Sequence, residues 1–368
     1  MKIIHIINEV KFSKMAAKAF DAVYPDANYY VSFSREKLNF NVLKFTHYPR
    51  FFVFFKVLIK YLLKADVVVF HSIGPKELLL LRAISKKTKV IWIGWGYDYY
   101  DIINVQLLKQ ETLKLLSSSE NKENFGGVVL DFFLFEIKKR KSKWINRVDI
   151  FSPVIFEDFK LVKKELPEMK AKYVSWNYGT LEDDHIRGFE DKKINGSNIL
   201  LGNSASDTNN HLDAFEYINN LNFDGRKVIV PLSYGDIEYR DIIIREGNKL
   251  FPRNFLPLTD FMPIDEYTTI LQSCSIVIMN HLRQQALGNI VIALYMGAKV
   301  FLDERNPIYD FFIEQGAFIY KLEQLEMEFE DKLLIEQVMH NREVLKSYWS
   351  RDVILDKTKK IVETALNL

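Results

Sequence analysis

Residues 275–302 run in an order that commits the chain to a parallel sheet. Ser275-Ile-Val-Ile-Met279 is an apolar run of strand length. Polar residues follow from Asn280 to Asn289, then an apolar stretch of helical length, Gly297 as a turn, and a second strand-like run, Ala298 to Leu302. Parallel strands need such a helical crossover, because a tight hairpin cannot join them. The loop would carry Arg283, Gln284, Gln285, Gly288 and Asn289 to the helix N-terminus. There the backbone N–H groups lack intrahelical partners and the positive end of the helix dipole faces outward, which makes an anion site. A diphosphate suits it; an ordinary βαβ unit with a polar loop would read the same way.

The same alternation recurs along the chain. Lys2–Asn8, Asn28–Phe33, Asp66–His71 and Lys89–Gly94 read as strands, with helices at Lys11–Tyr24 and Pro75–Lys86. Arg147–Pro153 and Lys172–Trp176 can close that sheet. After a charged stretch the pattern restarts at Ser197–Gly202, Arg226–Pro231, Phe255–Leu258, Ser275–Met279 and Ala298–Leu302, and Leu325–Leu368 reads as helices. Short apolar strands alternating with helices predict an α/β protein with parallel sheets covered on both faces. The expected division is an N-terminal Rossmann-like domain over 1–178, a linker over 179–196 and a second Rossmann-like domain over 197–345. A C-terminal helix over 346–368 is expected to cross back to the first domain.

Composition removes several function classes. At 368 residues the chain exceeds what one core usually supports. A net charge of +2 is too near neutral for a general nucleic-acid binder. The single cysteine, Cys274, excludes an internal disulfide and any multi-cysteine metal site, and fits a reducing, cytoplasmic setting. The first residues read as a strand rather than a signal peptide, and no run of about 18 uncharged apolar residues exists to span a membrane. His-x-x-x-His, Walker A and Gly-x-Ser-x-Gly patterns are missing, as is an Asp-x-Asp between apolar strands, so metal-independent chemistry is expected.

Four places carry candidate chemistry. Gly202-Asn-Ser-Ala-Ser-Asp-Thr-Asn-Asn-His211 follows a strand and would set N–H groups, hydroxyls and His211 at the sheet edge. Trp92-Ile-Gly-Trp-Gly-Tyr-Asp98 follows another. There Trp95 and Tyr97 offer ring faces to sugar or lipid, and Asp98 is placed to take a hydroxyl proton, or alternatively to cap a helix. His71, at a strand end, is a second acid/base candidate, though a structural role suits it equally. In Phe45–Lys64, Lys56, Lys60 and Lys64 recur every four residues among aromatic and aliphatic side chains. Such a helix can lie in a membrane interface, or can be a core helix with snorkelling lysines. Lys138-Lys-Arg-Lys-Ser-Lys143 reads as a solvated face.

Taken together, Phe70-His71, Trp95-Gly-Tyr-Asp-Tyr99, Gly202-Asn-Ser204 with Asn209-Asn-His-Leu212, and Arg283-Gln-Gln285 through Gly288 resemble glycosyltransferase family 56. Val230-Pro-Leu-Ser-Tyr-Gly235 and Asn306-Pro307 add to the likeness. This is the bacterial 4-alpha-L-fucosyltransferase family of TDP-N-acetylfucosamine:lipid II N-acetylfucosaminyltransferases. The resemblance implies a GT-B fold, two Rossmann-like domains facing across a cleft. It also implies an enzyme peripheral on the inner face of the cell membrane, moving 4-acetamido-4,6-dideoxy-galactose from dTDP to an undecaprenyl-diphosphate-linked glycan, as in enterobacterial common antigen. By position it makes Gly202, Asn203, Ser204, Asn210 and His211 donor-site residues, sets Tyr234 and Gly235 in the nucleotide pocket, and gives the diphosphate to Arg283, Gln284, Gln285 and Gly288. Asn289 stands where a Thr-like residue is expected.

The expected function is therefore hexosyl transfer from a dTDP-linked deoxyamino sugar to a lipid-linked glycan. Arg283 would offset leaving-group charge and Asp98 would activate or position the acceptor hydroxyl. The alternatives are a UDP- or GDP-sugar transferase, a nucleotide-sugar epimerase, and a non-catalytic sugar-nucleotide-binding subunit of a polysaccharide assembly complex.

Overall fold

The structure, a computed structural model, describes residues 1–9, 11–32, 45–47, 62–103, 105–119, 141–219, 221, 225–330 and 332–368. The chain divides into two compact units. The first takes residues 1–104, 124–184 and 348–368; the second takes 105–123 and 185–347. Residues 105–123, read from sequence as part of the first domain, group with the second unit, and the stretch 179–196, read as a linker, is shared between the two.

The first unit carries the parallel strands β1 (Ile3–Ile7), β2 (Asn28–Ser32), β3 (Phe45–His47), β4 (Val67–Phe70), β5 (Lys89–Ile93), β6 (Ile150–Ser152) and β7 (Lys172–Tyr173), in the spatial order β3-β2-β1-β4-β5-β6-β7. Every residue of β1 and β4 is buried, as β-branched runs covered on both faces must be. Helix Lys11–Val23 packs beside Arg351–Leu366, so the last helix supplies Ile354, Ile361, Val362 and Ala365 to the core that holds Phe20, Val67 and Trp176. The Trp176 indole N–H donates to Thr358 Oγ1 at 2.8 Å, which satisfies a buried polar atom within that core. Lys56 and Lys60 lie outside the described residues. Lys64 ends the short helix Leu62–Lys64 and is exposed.

The second unit repeats the plan with β8 (Asn198–Leu201), β9 (Val228–Pro231), β10 (Phe255–Leu258), β11 (Cys274–Met279), β12 (Lys299–Leu302) and β13 (Tyr320–Lys321), ordered β10-β9-β8-β11-β12-β13. In each sheet the order reverses once, between β1 and β4 and between β8 and β11. In open α/β sheets that switch point, at the carboxyl ends of the strands, leaves a crevice for ligand. His71 follows β4, Gly202 follows β8 and Asn280 follows β11, so three of the segments singled out from sequence sit at switch points. Among the described residues no helix is long and apolar enough to cross a membrane.

Candidate active site

In the second unit the chain leaves β8 at Gly202 with φ +69°, in the left-handed region. A Cβ there would lie 2.7 Å from Asn209 Oδ1 and 2.8 Å from His211 Nε2, so no other residue fits. The fully buried Asn209 organises the turn. Its amide nitrogen donates to Ser204 Oγ and to the Ser206 carbonyl, both at 3.1 Å, which leaves Oδ1 as acceptor. That oxygen receives the Asn203 N–H at 2.9 Å and His281 Nε2 at 2.9 Å. His281 therefore carries its proton on Nε2. Burial, then Arg283 and His211, drives its pKa well below the usual histidine range, so it is a neutral donor.

Asn203 links this turn to the loop after β11. Its amide nitrogen donates to the Tyr234 hydroxyl at 2.7 Å, and its oxygen accepts from Gln285 Nε2 at 3.0 Å. Gln285 in turn accepts from Thr208 Oγ1 at 2.9 Å. The Gly202–His211 turn and the Arg283-Gln-Gln tract, bonded between residues 82 apart in sequence, are thus joined at the switch point. Helix Leu287–Met296 begins two residues after Gln285, behind a left-handed Ala286 with φ +60°. Arg283 is half-buried and Gln284 buried. Tyr234 is 59% exposed, and Gly235 (φ +119°) lets the backbone of Ala205 lie against it.

Other expected donor residues have their side chains engaged in packing. Asn210, left-handed at φ +50°, accepts from the Lys109 N–H at 2.8 Å and donates to the Leu107 and Asn280 carbonyls. Asp213 accepts from the N–H groups of Glu111 and Thr112 and from Thr112 Oγ1. These bonds fasten residues 107–112 to the second unit, with Lys109 Nζ also bonded to Asn280 and to Asp303. Burial alone would raise the Asp303 carboxyl, but Arg305 and Lys109 outweigh it and hold the group charged. His211 bonds Tyr239 at 3.1 Å and burial lowers its pKa to about 3, which removes it as an acid/base group near neutrality. Asn289 donates to Tyr267 at 3.0 Å.

The first unit has its own polar cluster. His71 and His5 are fully buried and stacked, with His5 Nδ1 3.0 Å from His71 Nε2. His5 Nε2 meets Asn28 Oδ1 at 3.1 Å, and His71 Nδ1 meets the Tyr178 hydroxyl at 2.7 Å. Asp98 is 3% exposed. One oxygen accepts the Trp95 N–H at 2.8 Å, and the other accepts the Trp92 indole at 2.8 Å and the Ile73 N–H at 3.1 Å. Burial pushes its pKa up while these donors pull it down. The carboxylate thus braces the Trp95–Asp98 corner against the end of β4. Tyr97 is 58% exposed and Phe12 38%, with Trp95 half-buried between rings. Lys141 does not sit on a solvated face: it is 4% exposed and bonds Asp101 and the Asp98 carbonyl. Among the described residues no three His, Cys, Asp or Glu side chains could hold a metal ion together.

The sequence assigns no role to His281, His5, Tyr178 or the Lys109 strap. The signal for His281 was available: like His71, it stands at the exit of a central strand.

Two parallel sheets in Rossmann order, each with polar residues gathered at its switch point, define a GT-B glycosyltransferase fold. Solved structures share it. Alpha,alpha-trehalose 6-phosphate synthase from Burkholderia multivorans matches at TM-score 0.64 and 10% identity, covering 99% of this chain and 97% of its own. Anabaena HepE in complex with UDP and glucose matches at 0.61 and 11%, over all of both chains. A Rickettsia africae glycosyltransferase matches at 0.62 and 12%, over 99% and 98%. Residues 134–345, more than half of the sequence, match the family described as 4-alpha-L-fucosyltransferase, glycosyl transferase group 56, and the chain belongs to that family. It is a hexosyltransferase.

Proposed function

We propose that this enzyme transfers a deoxyamino sugar of the N-acetylfucosamine type from dTDP to an undecaprenyl-diphosphate-linked glycan, at the cytoplasmic face of the cell membrane and without a metal. One observation carries the donor assignment: Asn203 and Gln285 join the two switch-point loops beside the N-terminus of the Leu287–Met296 helix. Gly288, in that helix's first turn, supports it. A Cβ there would meet nothing nearer than His185 at 3.9 Å, and no left-handed backbone demands glycine. The protein itself has no steric need for glycine at that place; a diphosphate lying on the helix N–H groups would have one.

Arg283 and the helix N-terminus would neutralise charge growing on the departing diphosphate, the task metal ions perform elsewhere. We assign Asp98 to positioning, since three donors already occupy its oxygens. The membrane assignment is supported by the Lys56, Lys60, Lys64 spacing and the aromatic residues around it.

Thermal unfolding with dTDP, UDP, GDP and CMP tests the donor. A nucleotide at about 100 times its dissociation constant adds about 2.7 kcal/mol. The largest shift is expected with dTDP. A shift with UDP alone favours a UDP-sugar donor, the reading supported by the UDP held in Anabaena HepE. No shift with any of them overturns the nucleotide-sugar assignment. Arg283→Ala is expected to cut turnover by roughly 10²–10³-fold with the melting temperature kept; unchanged turnover rejects its role.

A further inference from the structure

The polar cluster of the first unit fixes every proton along its length. Asn28 donates its amide nitrogen to Asp21 Oδ1 and to the Tyr24 carbonyl, both at 2.9 Å. Its oxygen therefore faces His5, and His5 must present Nε2–H to it. Burial holds both histidines neutral, with His5 pushed down to about 4. A neutral ring has one N–H, so His5 Nδ1 is a lone pair and His71 Nε2 carries the hydrogen that meets it. His71 Nδ1 is then also a lone pair, and the Tyr178 hydroxyl donates to it. The order runs Tyr178 to His71 to His5 to Asn28, each donating to the next.

The far end of that order has a chemical consequence. With its one proton turned inward, the Tyr178 oxygen shows only lone pairs to its surroundings. The Trp95 side chain, a donor, lies beside this oxygen and pulls the phenol down against the upward push of burial, so it faces one of those lone pairs and leaves the other. The Phe12 ring lies tilted at 5.5 Å and the Trp95 ring edge-on at 5.8 Å from the Tyr178 ring, and both Phe12 and Tyr97 show apolar surface to solvent. Ring faces beside an obligate hydrogen-bond acceptor form a recognition surface for a sugar bearing a hydroxyl.

We propose that Tyr178 accepts the hydrogen bond of an acceptor-sugar hydroxyl and orients it for attack, held in that role by the ordered His71–His5–Asn28 chain. The inference rests on the glycosyl-transfer reading and names a residue for its acceptor side. Tyr178 needs no change of charge: it fixes where the hydroxyl's lone pairs point, while its neighbours keep the phenol proton from turning outward.

The test has two arms. Long-range proton–nitrogen spectra of ¹⁵N-histidine protein read the tautomers directly. Both His5 and His71 are expected as neutral Nε2–H forms, and a His71 Nδ1–H form overturns the proposal whatever the substrate. Kinetics of Tyr178→Phe form the second arm, using a short-chain polyprenyl-diphosphate disaccharide as acceptor and water as the competing one. Transfer to the glycan is expected to fall by about tenfold or more, with donor hydrolysis by water within about twofold of wild type. Equal loss of both reactions marks a structural role, and undiminished transfer removes the role altogether; either overturns the proposal. A wild-type protein that transfers nothing to this glycan faults the acceptor reading instead, and the tautomer spectra still decide the chain.

Discussion

Gly202 and Gly288 show two different reasons for a glycine. At Gly202 the protein requires it, through a left-handed backbone and a Cβ position already taken by Asn209 and His211. Gly202→Ala is expected to cost about 1–3 kcal/mol in urea unfolding, because both strain and overlap must be relieved. At Gly288 the protein leaves room. Gly288→Ala should keep the urea midpoint near wild type yet weaken nucleotide binding by about tenfold or more, read by calorimetry, which corresponds to about 1.4 kcal/mol. Equal affinity would remove the helix N-terminus from the site. Sequence alone could not separate these cases, since each glycine lies in a polar stretch between an apolar strand and a helical segment. The histidines were harder still. His5 meets His71 across 66 residues and His71 meets Tyr178 across 107, so only the folded sheet brings the three together.

At the scale of elements, the central strands were readable because β-branched runs such as Val67-Val-Val-Phe70 have no good helical alternative. The edges were readable only in part: Lys172–Trp176 and Phe255–Leu258 anticipate β7 and β10, whereas β3 and β13 span three and two residues, too short for any periodicity to register. Residues 107–112 escaped assignment for another reason: their attachment is polar. It depends on Asn210 and Asp213 receiving backbone N–H groups, which no hydrophobic pattern announces. Asp213→Ala would leave two N–H groups and a buried hydroxyl without partners, at about 1–3 kcal/mol for each that stays unsatisfied. Hydrogen exchange should then show residues 109–113 opening before the rest of the second unit; unchanged protection there would mean the strap is held otherwise.

The whole molecule carries an acid sensitivity set by its buried histidines. His5 is lowered to about 4 and His211 to about 3 by burial, against about 6.5 for a free imidazole. Below that value the unfolded chain binds protons that the native state refuses. Stability is thus complete above about pH 6.5 and falls as pH drops towards the native values, by about 1.4 kcal/mol per unit for each such histidine. Urea midpoints at about pH 7.5 and about pH 5 check the sign, and a higher midpoint at the acid end would contradict it.

The first unit is assembled from three separated stretches, and its core waits on Ile354, Ile361 and Val362. During synthesis those residues emerge only after all of the second unit has been made. The nascent sheet of β1 to β7 must therefore stand with one flank uncovered while the second unit is translated. Residues 1–184 alone are an unfinished object, and the order of birth along this chain is not its order of completion.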